Sequence, residues 1–213
     1  TALDGGLLLY KEEQDRLTGL VDTWQRVDSL NDVLIRSHDI NVYNERARLL
    51  ISMRRFQSAR DDLNTVLAKD EDNITAIYLN GILLLNTYDY EGAVGFFTQL
   101  SDMELSSGQE KLFGSYKASA TRLNILNEKL GNEPDNPDIY LDISRELSQI
   151  GDLNRALHMI DRGLEAAPED PRLLQARILV YVQQGEMEKA RQAVHYLESL
   201  GYQADPQLKK LLK

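Results

Sequence analysis

Apolar residues recur along the chain at helical spacing, and the stretches that carry them alternate with tight turns. Tyr43, Ala47 and Leu50 form one stripe, Ile77, Gly81 and Leu84 a second, Tyr140, Ser144 and Leu147 a third, and Leu174, Ile178 and Tyr181 a fourth. A turn triplet follows each stripe: Arg54-Arg55-Phe56, Tyr88-Asp89-Tyr90, Gly151-Asp152-Leu153 and Gly185-Glu186-Met187. Three residues beyond each triplet stands an alanine, Ala59, Ala93, Ala156 or Ala190. Four residues beyond each alanine stands a large apolar residue, Leu63, Phe97, Ile160 or Val194, one turn further along the same helical face. The pattern predicts helix, tight turn, helix, with a small residue backed by a large one forming a packing notch on each second helix. Ala47, Gly81 and Ser144 supply small residues on the first helices, where a neighbouring backbone must come close, while Ile178 in the last predicts looser packing there.

The alanines are separated by 34, 63 and 34 residues, so the middle interval falls five short of two periods. The deficit lies in Gly108–Asn136, where Leu112, Tyr116, Ala120, Leu123, Leu126 and Leu130 hold one stripe with no glycine or proline between Gly114 and Gly131. Either a shortened helix pair or one long helix satisfies this stripe, and the pair is preferred because it preserves the direction of the next unit. Asp70-Glu71-Asp72-Asn73 and Pro168-Glu169-Asp170-Pro171 mark turns between units. Upstream, Leu17, Leu20, Val21, Trp24, Val27 and Leu34 recur at helical spacing without the alanine or the turn, which predicts a capping helix or an eroded repeat. Trp24 is expected to pack in the core, the alternative being an anchor for a partner or a dimer. The half-polar tail from Pro206 to Lys213 reads as the opposite cap. The expected organisation is therefore a cap over 1–39, two repeats over 40–107, a degenerate unit over 108–136, two repeats over 137–204 and a cap over 205–213.

The 34-residue period, the alanines in phase and the small and aromatic residues at matching offsets resemble the tetratricopeptide repeat family, over Ile40–Ser107 and Pro137–Ala204. The resemblance implies an all-α, right-handed superhelical stack of antiparallel helix pairs. It further implies that the first helices line a concave groove that holds a peptide or a partner protein. On this phase the groove presents Asn41, Asn44, Arg48, Tyr78, Ile82, Leu141, Arg145, Arg172, Gln175 and Leu179. Arg48, Arg145 and Arg172 either donate to carboxylates of a partner or pair with the chain's own acids. Some family members clamp a terminal carboxylate with a lysine and an asparagine one turn apart. Here those positions hold Asn44 and Arg48, then Tyr78 and Ile82, and Tyr78 and Ile82 cannot clamp a carboxylate, so that specificity is not carried over.

Composition narrows the function further. The chain has 213 residues, 42% hydrophobic and 27% charged, enough to bury a globular core. A formal net charge of -10 opposes any phosphate backbone, so nucleic acid is not an expected partner. No apolar run approaches the roughly 18 to 20 residues that span a bilayer. The chain begins at Thr1, and an upstream signal, lipid anchor or membrane helix is compatible with that start, so the localisation reads as cytoplasmic or, with such a leader, periplasmic. There is no cysteine, no phosphate loop, no dinucleotide fingerprint and no nucleophile elbow. His38, His158 and His195 lie far apart in sequence and lack metal-site spacing. The acidic clusters at Asp70–Asp72 and Asp135–Asp138 lack the glycine and distal glutamate of a calcium loop and read as helix caps. The expectation is a scaffold without catalysis, metal or cofactor. The alternatives are a soluble domain of a larger or membrane-anchored assembly factor, a regulatory subunit of a bacterial envelope machine, or an enzyme with its site across the degenerate unit.

Overall fold

A computed structural model describes the backbone of residues 2–212 and the side chains of residues 17–210 and 212. Eleven helices occupy the described residues, with no strand among them. They fall into two compact units, the first ending at Met103 and the second beginning at Glu104.

The first unit contains α1 (Ala2–Arg36), α2 (Ile40–Ser52), α3 (Phe56–Leu67), α4 (Ile74–Asn86) and α5 (Tyr90–Ser101). Helix α2 packs on α3 and α4 on α5, α3 packs on α4, and α2 also reaches α4. Short connections make successive helices antiparallel, so α2 and α4 run alike and their two turns lie at one edge. The notches form as the sequence predicts: Ala59 and Ala93 are fully buried, and so are Leu63 and Phe97 one turn on. Gly81 faces Phe97 so closely that a Cβ there would lie 2.7 Å from the ring. Arg46 ties three helices together. Its Nε and Nη2 donate to Asp62 Oδ2 and Oδ1 on α3 at 2.8 and 2.5 Å, and its Nη1 donates to Asn31 Oδ1 on α1 at 2.7 Å.

The second unit contains α6 (Ser107–Asn132), α7 (Pro137–Gln149), α8 (Leu153–Ala166), α9 (Pro171–Gln184), α10 (Met187–Ser199) and α11 (Pro206–Leu211). Helix α7 pairs with α8 and α9 with α10, while α8 and α7 both pack on α9, α6 packs on α7, and α11 on α9. Ala156, Ile160 and Ala190 are fully buried. Ile178 is also fully buried, so the bulky residue in the last first-helix is accommodated inside the core. Gly163 provides another close approach, since a Cβ there would meet Leu173 Cδ1 at 2.9 Å and Tyr140 Cβ at 3.0 Å.

Helix starts follow the Asx residues between the stripes. Asn73 accepts from the Ala76 amide, Asp89 from Gly92, Asp152 from Arg155, and Ser106 forms a capping box with Gln109. The connections Asn136-Pro137, Asp170-Pro171 and Asp205-Pro206 repeat one device, an Asx cap followed by proline at the first helical position.

Two expectations need correction. Gly108–Asn136 does not fold as a shortened helix pair: one helix, α6, runs from Ser107 to Asn132. The segment between Gly114 and Gly131 contains no breaker, so its backbone hydrogen bonds continue through the point where a hairpin would turn. Trp24 is not a core residue either. It is 44% exposed, with the Arg55 guanidinium 5.5 Å from its ring centre. The packing of α1 on α2 instead uses Val27, Leu30 and Leu34, all buried.

Candidate functional site

In the second unit, the connections between stacked first helices place several of the expected residues together. Arg145 on α7 and Arg172, Gln175 and Leu179 on α9 line one cavity of about 430 Å³, completed by Ala176, Asp205, Gln207 and Leu208. A neighbouring cavity of about 380 Å³ lies between α6 and α7, lined by Arg122, Ile125, Leu126, Asp142, Glu146 and Gln149, and it shares Arg145 with the first. The face thus runs from α6 across α7 and α9 to α11 without leaving this unit.

Leu141 does not contribute to that face. It is 3% exposed, on a helix packed by α6, α8 and α9, whereas Arg145 one turn on is exposed. The contributions of α6 and α11 were not anticipated, because both segments fall outside the regular 34-residue units. One signal does point to α11: Asp205-Pro206 stands 35 residues after Asp170-Pro171, itself 34 after Asn136-Pro137, which marks a further first-helix start in the sequence.

The arginines of this face are engaged by the chain's own carboxylates. Arg172 Nη2 lies 2.7 Å from Asp170 Oδ2 and 2.7 Å from Asp138 Oδ1, linking the start of α9 to the start of α7. The hydrogen bond to Asp170, followed by the attraction of Asp170 and Asp138, holds the Arg172 guanidinium above its ordinary pKa. The same hydrogen bond holds the Asp170 carboxyl below its own. Arg145 Nη1 meets Asp142 Oδ1 at 3.1 Å on a solvent-exposed turn. Arg122 Nε donates to Glu146 Oε1 at 2.6 Å, and this hydrogen bond raises the Arg122 pKa. Three arginines therefore face Asp138, Asp142, Glu146, Asp170 and Asp205, and the surface is acidic in balance. Between the charges stand exposed Leu179 and Ile125 and the amides of Gln149, Gln175 and Gln207.

In the first unit the expected residues divide differently. Asn41 and Arg48 are exposed on α2, while Tyr78 and Ile82 are half-buried on α4 against the core. The Tyr78 ring lies 6.4 Å from that of Phe97. Asn44 is 5% exposed, and its Nδ2 donates to Asn73 Oδ1 at 3.0 Å, the same oxygen that caps α4. It is a structural tie between α2 and the α4 cap rather than a surface contact, because the cap oxygen draws its amide inward.

His158 and His195 are exposed on α8 and α10, and His38 is exposed before α2, where its carbonyl accepts from Lys69 Nζ at 2.9 Å. Among the described residues no three histidine or acidic side chains are grouped as a metal ion requires. No helix there is long and apolar enough to cross a membrane.

A tetratricopeptide repeat family model matches residues 117–178. Among solved structures, a tetratricopeptide repeat protein from Parabacteroides merdae is 20% identical over 92% of this chain and 78% of its own, with a TM-score of 0.48. YrrB, described as a tetratricopeptide repeat protein with an unusual peptide-binding site, is 17% identical over 85% and 96%, with a TM-score of 0.42. MamA from Desulfovibrio magneticus RS-1 is 13% identical over 91% and 93%, with a TM-score of 0.36. No curated protein matches the chain.

Proposed function

We propose that the chain, in which a tetratricopeptide repeat family model matches residues 117–178, is a protein-interaction scaffold that holds an extended peptide segment on the α6–α7–α9–α11 face and performs no catalysis of its own. The observation that carries this proposal is the convergence of Arg145, Arg172, Gln175 and Leu179, from two stacked helices, on one cavity. Leu179 and Leu208 offer an apolar seat for one side chain, and Ile125 and Leu126 for another. The glutamine amides between them can both donate to and accept from an extended backbone, whose polar groups would otherwise be buried unpaired.

The electrostatics select among peptides. Arg172 and Arg145 are already held by Asp170, Asp138 and Asp142, so an incoming carboxylate would meet occupied donors and additional negative charge. The favoured occupant is therefore neutral to basic, with apolar side chains spaced to reach the two cavities. The test is a displayed library of unstructured peptides selected on the intact chain. Selected sequences should be poor in Asp and Glu, should lose affinity for Leu179→Lys, and should keep it for Trp24→Gln in the other unit. Selection of acidic peptides that bind Leu179→Lys unchanged would refute the assignment.

A further inference from the structure

The first unit exposes an apolar surface flanked by two arginines, at the edge where its helix turns lie. The four residues that begin the turn triplets are related by the repeat, and all have left-handed backbones: Arg54 at φ 59°, Tyr88 at 65°, Gly151 at 80° and Gly185 at 79°. In the second unit that conformation is occupied by glycine, which adopts it without steric penalty. In the first unit it is occupied by two large, exposed side chains, at a cost in backbone strain. Strain of this kind persists only where the surrounding structure holds it in place, and it gathers at functional sites. The Arg54 guanidinium lies 5.8 Å from the Phe56 ring centre, and the Tyr88 ring lies 6.4 Å from that of Tyr90.

Helix α1 adds an apolar wall to this edge. It runs antiparallel to α2, and the contact between Trp24 and Arg55 fixes where it passes the α2–α3 turn. Residues before Trp24 therefore project beyond the turn edge, past the end of α2, the helix on which α1 packs. On this projecting part Leu17, Leu20, Val21 and Trp24 stand at i, i+3, i+4 and i+7, all exposed. Arg55 lies against Trp24 and Arg54 precedes it in the turn, over Phe56; neither has a carboxylate partner among the described residues, although the chain carries a net charge of -10. Asp89, in the α4–α5 turn, is occupied as the cap of α5, accepting from the Gly92 amide at 2.9 Å.

We propose that this edge, formed by Leu17, Leu20, Val21 and Trp24 of α1 with Arg54 and Arg55 of the first turn, docks an acidic amphipathic helix of a partner protein. The apolar stripe of that helix would lie along α1, and its carboxylates would face Arg54 and Arg55, whose guanidinium groups can hold them bidentately. Charge complementarity selects this occupant over a second copy, whose own surface here would bring the same two arginines together, and over an uncharged lipid surface, which would leave them unanswered. The site lies within the first unit, and its test stands or falls independently of the α6–α7–α9–α11 assignment.

Trp24 is the only tryptophan, so its fluorescence reports on this edge alone. The probe is a synthetic helical peptide with leucines at i, i+3, i+4 and i+7 and glutamates elsewhere, compared with a counterpart in which lysine replaces every glutamate. The glutamate peptide should shift Trp24 emission to the blue saturably, bind about tenfold tighter than the lysine peptide, and weaken as salt is raised. The double variant Arg54→Gly, Arg55→Gln should lose about tenfold in affinity for the glutamate peptide while melting no lower than the parent, because glycine removes the strain at position 54. Leu20→Gln should weaken it as well. Equal binding of both peptides, no response to either, or unchanged affinity in the double variant would overturn the proposal. So would a blue shift driven by protein concentration alone, which would place a second copy on this edge, or one driven by phosphatidylcholine vesicles, which would place a lipid surface there.

Discussion

The ring of Phe97 on α5 lies directly against the backbone of α4 at Gly81, where a Cβ would come within 2.7 Å of its Cε1 and Cζ atoms. Ala93, one turn before Phe97, is also fully buried, so the two helices meet at a place where one contributes almost no side chain and the other a whole ring. Gly81→Ala would gain up to about 1 kcal/mol of helix propensity. It would also force a fully buried ring out of its place, at about 1–3 kcal/mol. Net destabilisation of about 1 kcal/mol is expected in urea denaturation. Ala93→Leu and Ala156→Leu should each cost about 1–3 kcal/mol by the same overpacking. Unaltered midpoints in all three would contradict the notch packing.

Arg54 and Tyr88 give an opposite prediction. A left-handed backbone costs a non-glycine residue about 1–2 kcal/mol, and glycine returns part of that gain through its freer unfolded chain. Arg54→Gly and Tyr88→Gly should each raise stability by about 0.5–1 kcal/mol, and Gly151→Arg should lower it by a similar amount. Thermal melts of the three variants check this, and destabilisation by both glycine substitutions would show that side-chain contacts outweigh the strain.

The two-pronged bond from Arg46 to the buried Asp62 joins α2 to α3 with nearly all of the carboxylate withdrawn from water. Arg46→Ala leaves that carboxylate unpaired and should cost about 3 kcal/mol. Asp62→Asn keeps the shape but weakens the bond, and a double-mutant cycle should show coupling of about 1–3 kcal/mol. Additive effects would mean that the pair contributes packing alone.

The pairing of Arg172 with Asp170 predicts a pH dependence. Since the hydrogen bond from Arg172 depresses the native Asp170 pKa, the stability it contributes is complete above the ordinary carboxylate value of about 4 and is lost as pH falls through the lowered native value. Arg172→Gln should melt below the parent at pH 6, and the gap should close as the solution is acidified past that point. A gap that stays constant into strong acid would contradict the linkage.

The hairpins around Ala59, Ala93, Ala156 and Ala190 were legible in the sequence because each depends on local contrast, a small residue and a large one at fixed offsets. The single helix α6 was less so: repeat arithmetic argued for two helices, while the absence of any breaker between Gly114 and Gly131 argued for one, and local backbone bonding prevailed. Asn44 and Leu141 occupy the right periodic positions but face inward, because a cap oxygen and three packed neighbours claim them, and such neighbours are invisible to periodicity. Trp24 was misplaced for a related reason. A stripe at helical spacing shows that a face is apolar but not how far the covering helix extends, and α2 covers only the later part of α1.

The proposed peptide face is tested most directly by photo-crosslinking. With p-benzoylphenylalanine at Gln175, inside the α7–α9–α11 cavity, peptides selected on the intact chain should crosslink in high yield, and with the same group at exposed His158 on α8 they should not. Crosslinking at position 158 with none at 175 would place the partner on the second helices and contradict the assignment of the face.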